Sequence, residues 1–150
     1  MKPTNNVGYL LNHLAFVLGR QSDQALQERL GLGFSQFKIL TALKWNPSVR
    51  QKQIASDLGQ TEASISRQIK LLQAKGLLST RIKPDNKREH ITALTGKGER
   101  LAETAMQILN SRHSPAFAIL TSAQQQNLLE ILNTMHGAVC AGKQSEFHYL

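Results

Sequence analysis

Residues 54–78 read IASDLGQTEASISRQIKLLQAKGLL, and two helices joined by a tight turn satisfy them most simply. Ala55 is small enough for two helices to cross closely. Four residues on, Gly59 supplies the positive φ that a short inter-helix turn requires. Six further on, Ile65 plugs the space between the helices. Ile54 and Leu58 face inward from the first helix, Ile69 and Leu72 from the second. Thr61 suits the N-cap, and Glu62 suits the positive end of the helix dipole. Ser64, Ser66, Arg67, Gln68 and Lys70 are left pointing outward, in the turns where a recognition helix meets base edges in a major groove. Arg67 suits guanine O6 and N7, and Gln68 suits adenine. Ser64 and the helix N-terminus suit phosphate, and Thr61 is a further DNA-contact candidate.

Directly after this pair, residues 79–95 read STRIKPDNKREHITALT. Thr80 and Ile82, then Ile91 and Ala93, alternate as two pairing strands. Pro84, Asp85 and Asn86 are turn formers. A hairpin attached behind a recognition helix is a wing. Lys87 and Arg88 fall at or just past its tip, where Arg88 suits a narrow, electronegative minor groove. Arg81 and Lys83 lie along the strand, where phosphates are the expected target.

Further out the pattern is helical. Val7, Leu10, Leu11, Leu14, Leu18, Ala25 and Leu26 form a helix over residues 5–30 that Gly31 and Gly33 end. A second helix over residues 34–45 carries Phe37, Leu40 and Leu43 on one face, and Asn46-Pro47 breaks it. Helices are expected over residues 50–58 and 61–75. From Gly96 the stripe Leu101, Ala105, Ile108, Leu109 precedes a second one, Leu128, Leu129, Leu132, Met135, Val139, with Pro115 and Thr121-Ser122 expected to separate two helices. These outer stripes are more apolar than a compact middle unit needs, and a second copy of the chain is the expected partner.

The charge agrees with a polyanion partner. The 150 residues hold 18 Lys and Arg against 10 Asp and Glu, a net charge of +8. Residues 44–88 contain ten of the basic and three of the acidic groups, so the middle third carries the field. With 41% apolar and 19% charged residues, the chain is not of the disordered class. The one cysteine, Cys140, allows no internal disulfide and suits a reducing cytosol. Asn12 and His13 interrupt the apolar N-terminal stretch, so neither a membrane span nor a signal peptide is expected, and the protein reads as cytoplasmic. His136 and Cys140 are spaced for one helical face, but two ligands without a third do not make a metal site. No nucleophile motif, phosphate-cradling glycine loop or telling carboxylate pair points to an enzyme. No cofactor is expected.

With TEASISRQIKLLQAKGLL followed at the right distance by PDNKREHITALTGKG, the chain resembles the MarR family of transcriptional regulators over nearly its whole length. The resemblance implies a mainly α fold with a small β-hairpin wing, a winged helix-turn-helix at residues 34–95. It implies a homodimer built from residues 1–33 and 96–150. Ser64 and Arg67 fall on the family's recognition-helix contacts and Arg88 on its wing arginine. The family often has Asp two residues before that arginine; here Asn86 stands there. A small aromatic or phenolic effector is implied where the first two helices meet the DNA-binding lobe, with His13, Phe16, Phe37 and Trp45 as candidates. Members that sense peroxide use a cysteine near the start of the first helix, and this chain has none there. The expected partner is double-stranded DNA with a pseudo-palindromic operator, and the expected activity is repression. An architectural protein that coats or bends DNA is the alternative.

Overall fold

The computed structural model describes residues 5–83 and 86–140, with the side chains of residues 83, 86–90 and 140 outside that description. The first helix, α1 (Val7–Leu30), opens on Asn6, whose side chain accepts from the Tyr9 N–H at 2.8 Å. Helix α2 (Phe34–Trp45) stops where Asn46-Pro47 cannot continue it. Phe37, Ile39, Leu40, Thr41, Ala42 and Leu43 are all buried, so α2 has little polar face and belongs inside the molecule. The Thr41 hydroxyl donates to the Phe37 carbonyl at 3.0 Å, which settles that buried polar group. Around α2 stand α1, the fourth and fifth helices and the second strand.

Helices α3 (Gln51–Asp57) and α4 (Glu62–Ala74) form the expected pair. Gly59 sits at φ 61°. Its N–H donates to the Ser56 carbonyl at 3.2 Å and the Gln60 N–H to the Ala55 carbonyl at 2.8 Å, a Schellman ending for α3. Ala55 and Ile65 are buried at the crossing. Thr61 Oγ1 accepts from the Ser64 N–H at 3.1 Å and starts α4.

Strands β1 (Leu78–Lys83) and β2 (Asn86–Leu94) pair antiparallel. Leu78 faces Leu94, Thr80 faces Thr92 and Ile82 faces His90. Opposed residues share a face of the ribbon, so Thr80 and Ile82 lie on the other face from Ile91 and Ala93. Beyond Ile82 the register slips and Lys83 pairs with Asn86. Residues 87–89 are therefore left without partners on β1, a bulge near the tip.

Helix α5 (Gly96–Ala118) starts on Thr95, whose Oγ1 accepts from the Gly98 N–H at 3.1 Å. The same hydroxyl donates to the Gly76 carbonyl at 2.7 Å, and the Thr95 N–H donates to the Leu77 carbonyl at 3.1 Å. The first turn of α5 is thus seated on the start of the hairpin. A Cβ at residue 98 would stand 2.1 Å from the Leu77 carbonyl oxygen, so only glycine fits. Along α5 and α1, buried Ser22 lies 3.1 Å from His113 Nε2.

The break expected at Pro115 is not there: α5 runs through Pro115 to Ala118. Proline removes one N–H and crowds the preceding turn, a loss confined here to the helix's last turns. The chain turns at Thr121-Ser122, the other half of the expected break, where Thr121 accepts from the Gln124 N–H while its own N–H donates to Gln124 Oε1 at 2.9 Å. That reciprocal capping box opens α6 (Ser122–Cys140). None of the described side chains of α6 is buried; Leu129, Ile131, Leu132, Met135 and Val139 are exposed.

Replacing Gly98 with Ala forces the α5 start away from Leu77. We expect Gly98→Ala to lose about 1–3 kcal/mol of stability in urea unfolding, the usual range for overpacking. A variant as stable as the parent would show that the seat yields without cost.

Candidate functional site

Helix α4 buries Ile65, Ile69 and Leu72 and turns the opposite side outward. Arg67 and Lys70 are exposed on that outer side, and Ser64, Ser66 and Gln68 are half-buried on its flanks. Two independent contacts hold the flanks from behind, both from the first turn of α2. Gln60 Nε2 donates to Ser35 Oγ at 2.7 Å, and the Ser64 hydroxyl donates to Gln60 Oε1 at 3.3 Å. Gln36 Nε2 donates to Gln68 Oε1 at 3.0 Å. Gln68, expected to read adenine with both ends of its amide, therefore has its oxygen engaged inside the protein.

The cations of the middle third divide by what they touch. Lys44 Nζ stands 2.7 Å from Glu103 Oε1, tying α2 to α5. The hydrogen bond and charge of Lys44 hold the exposed Glu103 carboxyl below the usual carboxylate range. Lys75 Nζ donates to the Gly31 carbonyl at 2.9 Å. These two lysines serve the fold. Arg50, Lys52, Arg67, Lys70 and Arg81 make no bond among the described residues, and all five are exposed. Arg81 lies on β1, opposite Ile91. Lys83, Lys87 and Arg88 have side chains outside the described residues. Their backbone places Lys83 at the last β1 pair and Lys87 and Arg88 in the unpaired stretch of β2. Pro84 and Asp85 lie outside the described residues altogether.

A cleft of about 790 Å³ opens between α1 and the first turns of α2. Phe16, Arg20, Phe34 and Lys38 line it, with Asp23 and Gln24. Arg20 stands 5.9 Å from the centre of the Phe16 ring and Lys38 stands 4.7 Å from that of Phe34, so two cations lie over two aromatic faces. Asp23 Oδ1 accepts the Phe34 N–H at 2.8 Å and closes one side. Of the four aromatic or histidine candidates, only Phe16 lines this cleft. His13 stacks on Tyr9 along exposed α1, with ring centres 5.9 Å apart. Phe37 is buried in the core. Trp45 lines a separate recess of about 220 Å³ with Lys44, Glu103 and Met106.

Arg20, Phe34 and Lys38 escaped the sequence reading, yet they left a signal. Phe16 and Arg20, like Phe34 and Lys38, are an aromatic and a cation one helical turn apart. Ser35, Gln36 and Gln60 left none, because their partners are fixed only by how α2 crosses α4. Among the described residues no three metal-ligating side chains come together. No described helix is long and apolar enough to cross a membrane.

The MarR family model matches residues 34–90. The HTH-type transcriptional repressor Rv2887 of Mycobacterium tuberculosis is 25% identical over 129 residues, which are 86% of this chain and 92% of that protein. A crystal structure of Rv2887 with salicylic acid superposes with a TM-score of 0.75 at 25% identity, over 87% of this chain and 96% of the other. The complex of Rv2887 with DNA superposes with a TM-score of 0.72 at 25% identity, over 87% and 97% of the two chains.

Proposed function

We propose that the chain is a regulator of the MarR family, whose model matches residues 34–90: a homodimeric, sequence-specific repressor of transcription that a small aromatic anion releases from double-stranded DNA. The observation that carries the proposal is the outward side of α4. It sets exposed Arg67 and Lys70 beside the short polar groups Ser64 and Ser66, and Arg81 follows on the adjoining hairpin. A protein that only coats DNA needs cations along a backbone track. Flank residues braced from α2 suit base reading. Residues 34–95 form the DNA-binding lobe, with α4 in the major groove and Arg88 in the flanking minor groove. Thr61, Ser64, Lys83 and Lys87 serve phosphates and Arg67 serves a base.

Residues 1–33 and 96–150 form the dimer. The support is α6, whose apolar side stands exposed among the described residues and which the same helix of a second copy would bury. Two-fold symmetry then spaces the two α4 helices about one DNA turn, or 10 bp, apart, on a pseudo-palindrome. The effector binds between α1 and α2. Phe16 and Phe34 offer ring faces, and Arg20 and Lys38 offer charge to a carboxylate or phenolate. Salicylic acid bound to Rv2887 supports that ligand class.

Arg67→Ala is expected to lose about 1–3 kcal/mol of binding and to relax preference at one base position per half-site. Equal weakening on all sequences would reassign Arg67 to a phosphate. Affinity for the operator measured by fluorescence anisotropy should fall steeply and linearly in a plot of log K against log salt; a flat line removes the electrostatic half of the proposal. In thermal unfolding, salicylate at a hundred times its Kd should stabilise the parent by about 2.7 kcal/mol. Arg20→Ala and Lys38→Ala should each lose most of that gain, and equal gains in all three proteins would place the ligand elsewhere.

A further inference from the structure

The two amides that meet behind the recognition helix have a direction. Gly33 N–H can only donate, and it points at the side chain of Gln36 at 3.3 Å. The end of Gln36 facing it must therefore be the oxygen. This leaves the Gln36 NH₂ group facing Gln68, 3.0 Å away, and the near end of Gln68 must be its oxygen as well. The Gln68 NH₂ group is the end left over, and it has no partner among the described residues. Gln68 lies one turn beyond Ser64 and next to exposed Arg67. One backbone N–H, at the start of α2, thus fixes which end of a recognition-helix glutamine is presented.

Resting on the proposal that α4 reads bases, we infer that Gln36 is a specificity-determining residue, which makes Gln68 a donor-only reader. A glutamine that reads adenine does so with both ends, accepting from N6–H and donating to N7. With its oxygen turned toward α2, the end that Gln68 leaves for the groove is N–H. That matches guanine, whose N7 and O6 both accept, and it opposes cytosine, which shows the groove an N4–H donor. The role inferred for Gln36 is a positioning one, exerted through Gln68.

Gln36→Glu reverses the direction without removing the contact. Glutamate at this position keeps an oxygen for the Gly33 N–H, and a carboxylate in the first turn of a helix suits the dipole. Its other oxygen demands a donor, so Gln68 turns over and presents its own oxygen outward. Sequences are selected from a randomised duplex pool by the parent, Gln36→Glu, Gln36→Leu and Gln68→Ala, with folding followed by circular dichroism. The parent should enrich guanine over cytosine about tenfold at one position of each half-site. Gln68→Ala should level that position alone, and Gln36→Glu should reverse it toward cytosine or adenine. Gln36→Leu, which leaves Gln68 free to turn, should level it and serves as the deciding variant if Gln36→Glu does not fold. Guanine retained in Gln36→Glu, in Gln36→Leu or in Gln68→Ala overturns the inference while the regulator stands. A parent that selects no motif overturns the regulator itself.

Discussion

Helix α2 is buried on nearly every side, and the remaining elements are arranged by that burial. Phe37, Ile39, Leu40, Ala42 and Leu43 spread around its axis, so one packed layer cannot cover them. They require neighbours in several directions, and α1, α4, α5 and β2 supply them. A fully buried aliphatic side chain is worth about 1.5–3 kcal/mol. The exposed Lys44–Glu103 pair between α2 and α5 adds little by comparison, since water and salt screen both charges. Packing therefore fixes where α4 sits, and charge only decorates its outer face.

The seat of α5 on the hairpin follows from the same centre. Leu77, Leu78 and Leu94 join the core that α2 organises. Gly98 lets the first turn of α5 come down onto the Leu77 carbonyl. The Thr95 side chain and backbone then fasten the end of β2 to the end of α4. The wing is in this way rooted at its base. The pairing slips beyond Ile82, where Lys83 faces Asn86. The hairpin's direction therefore comes from Thr95, Gly98 and the leucines beneath it.

Much of this was legible in the sequence because it is written locally. Ala55, Gly59 and Ile65 specify a helix pair by their spacing, and the Schellman ending at Gly59 realises it. Thr61 and Thr95 cap the helices they precede. Pro115 misled for a local reason too: proline argues for a break, but the helix could afford one missing N–H near its end, and the Thr121 capping box placed the turn six residues later. The two strands were legible in their alternation, but their register was not, because alternation sets a strand's faces and not its register. The cleft was half legible, in the repeated aromatic–cation spacing of Phe16–Arg20 and Phe34–Lys38. Its assembly from two helices was not, since nothing in either segment states their crossing. Phe37 and Trp45 looked equally available as ring faces, and only packing sent one to the core and left the other beside α5.

The first turn of α2 belongs to two sites at once. Phe34 and Lys38 form one wall of the cleft, while Ser35 and Gln36, between them on the same helix, hold Gln60 and Gln68. Asp23 on α1 pins the start of that turn through the Phe34 N–H. A buried helix does not bend to suit a ligand; it shifts as a body or stays where it is. A molecule wedged between α1 and α2 therefore acts on Phe34 and on Gln36 together. On the function proposed above, release from DNA needs no large motion. A shift of about 1 Å takes a hydrogen bond of 3.0 Å beyond useful length, and the bracing of α4 is lost while its core contacts through Ile65, Ile69 and Leu72 remain.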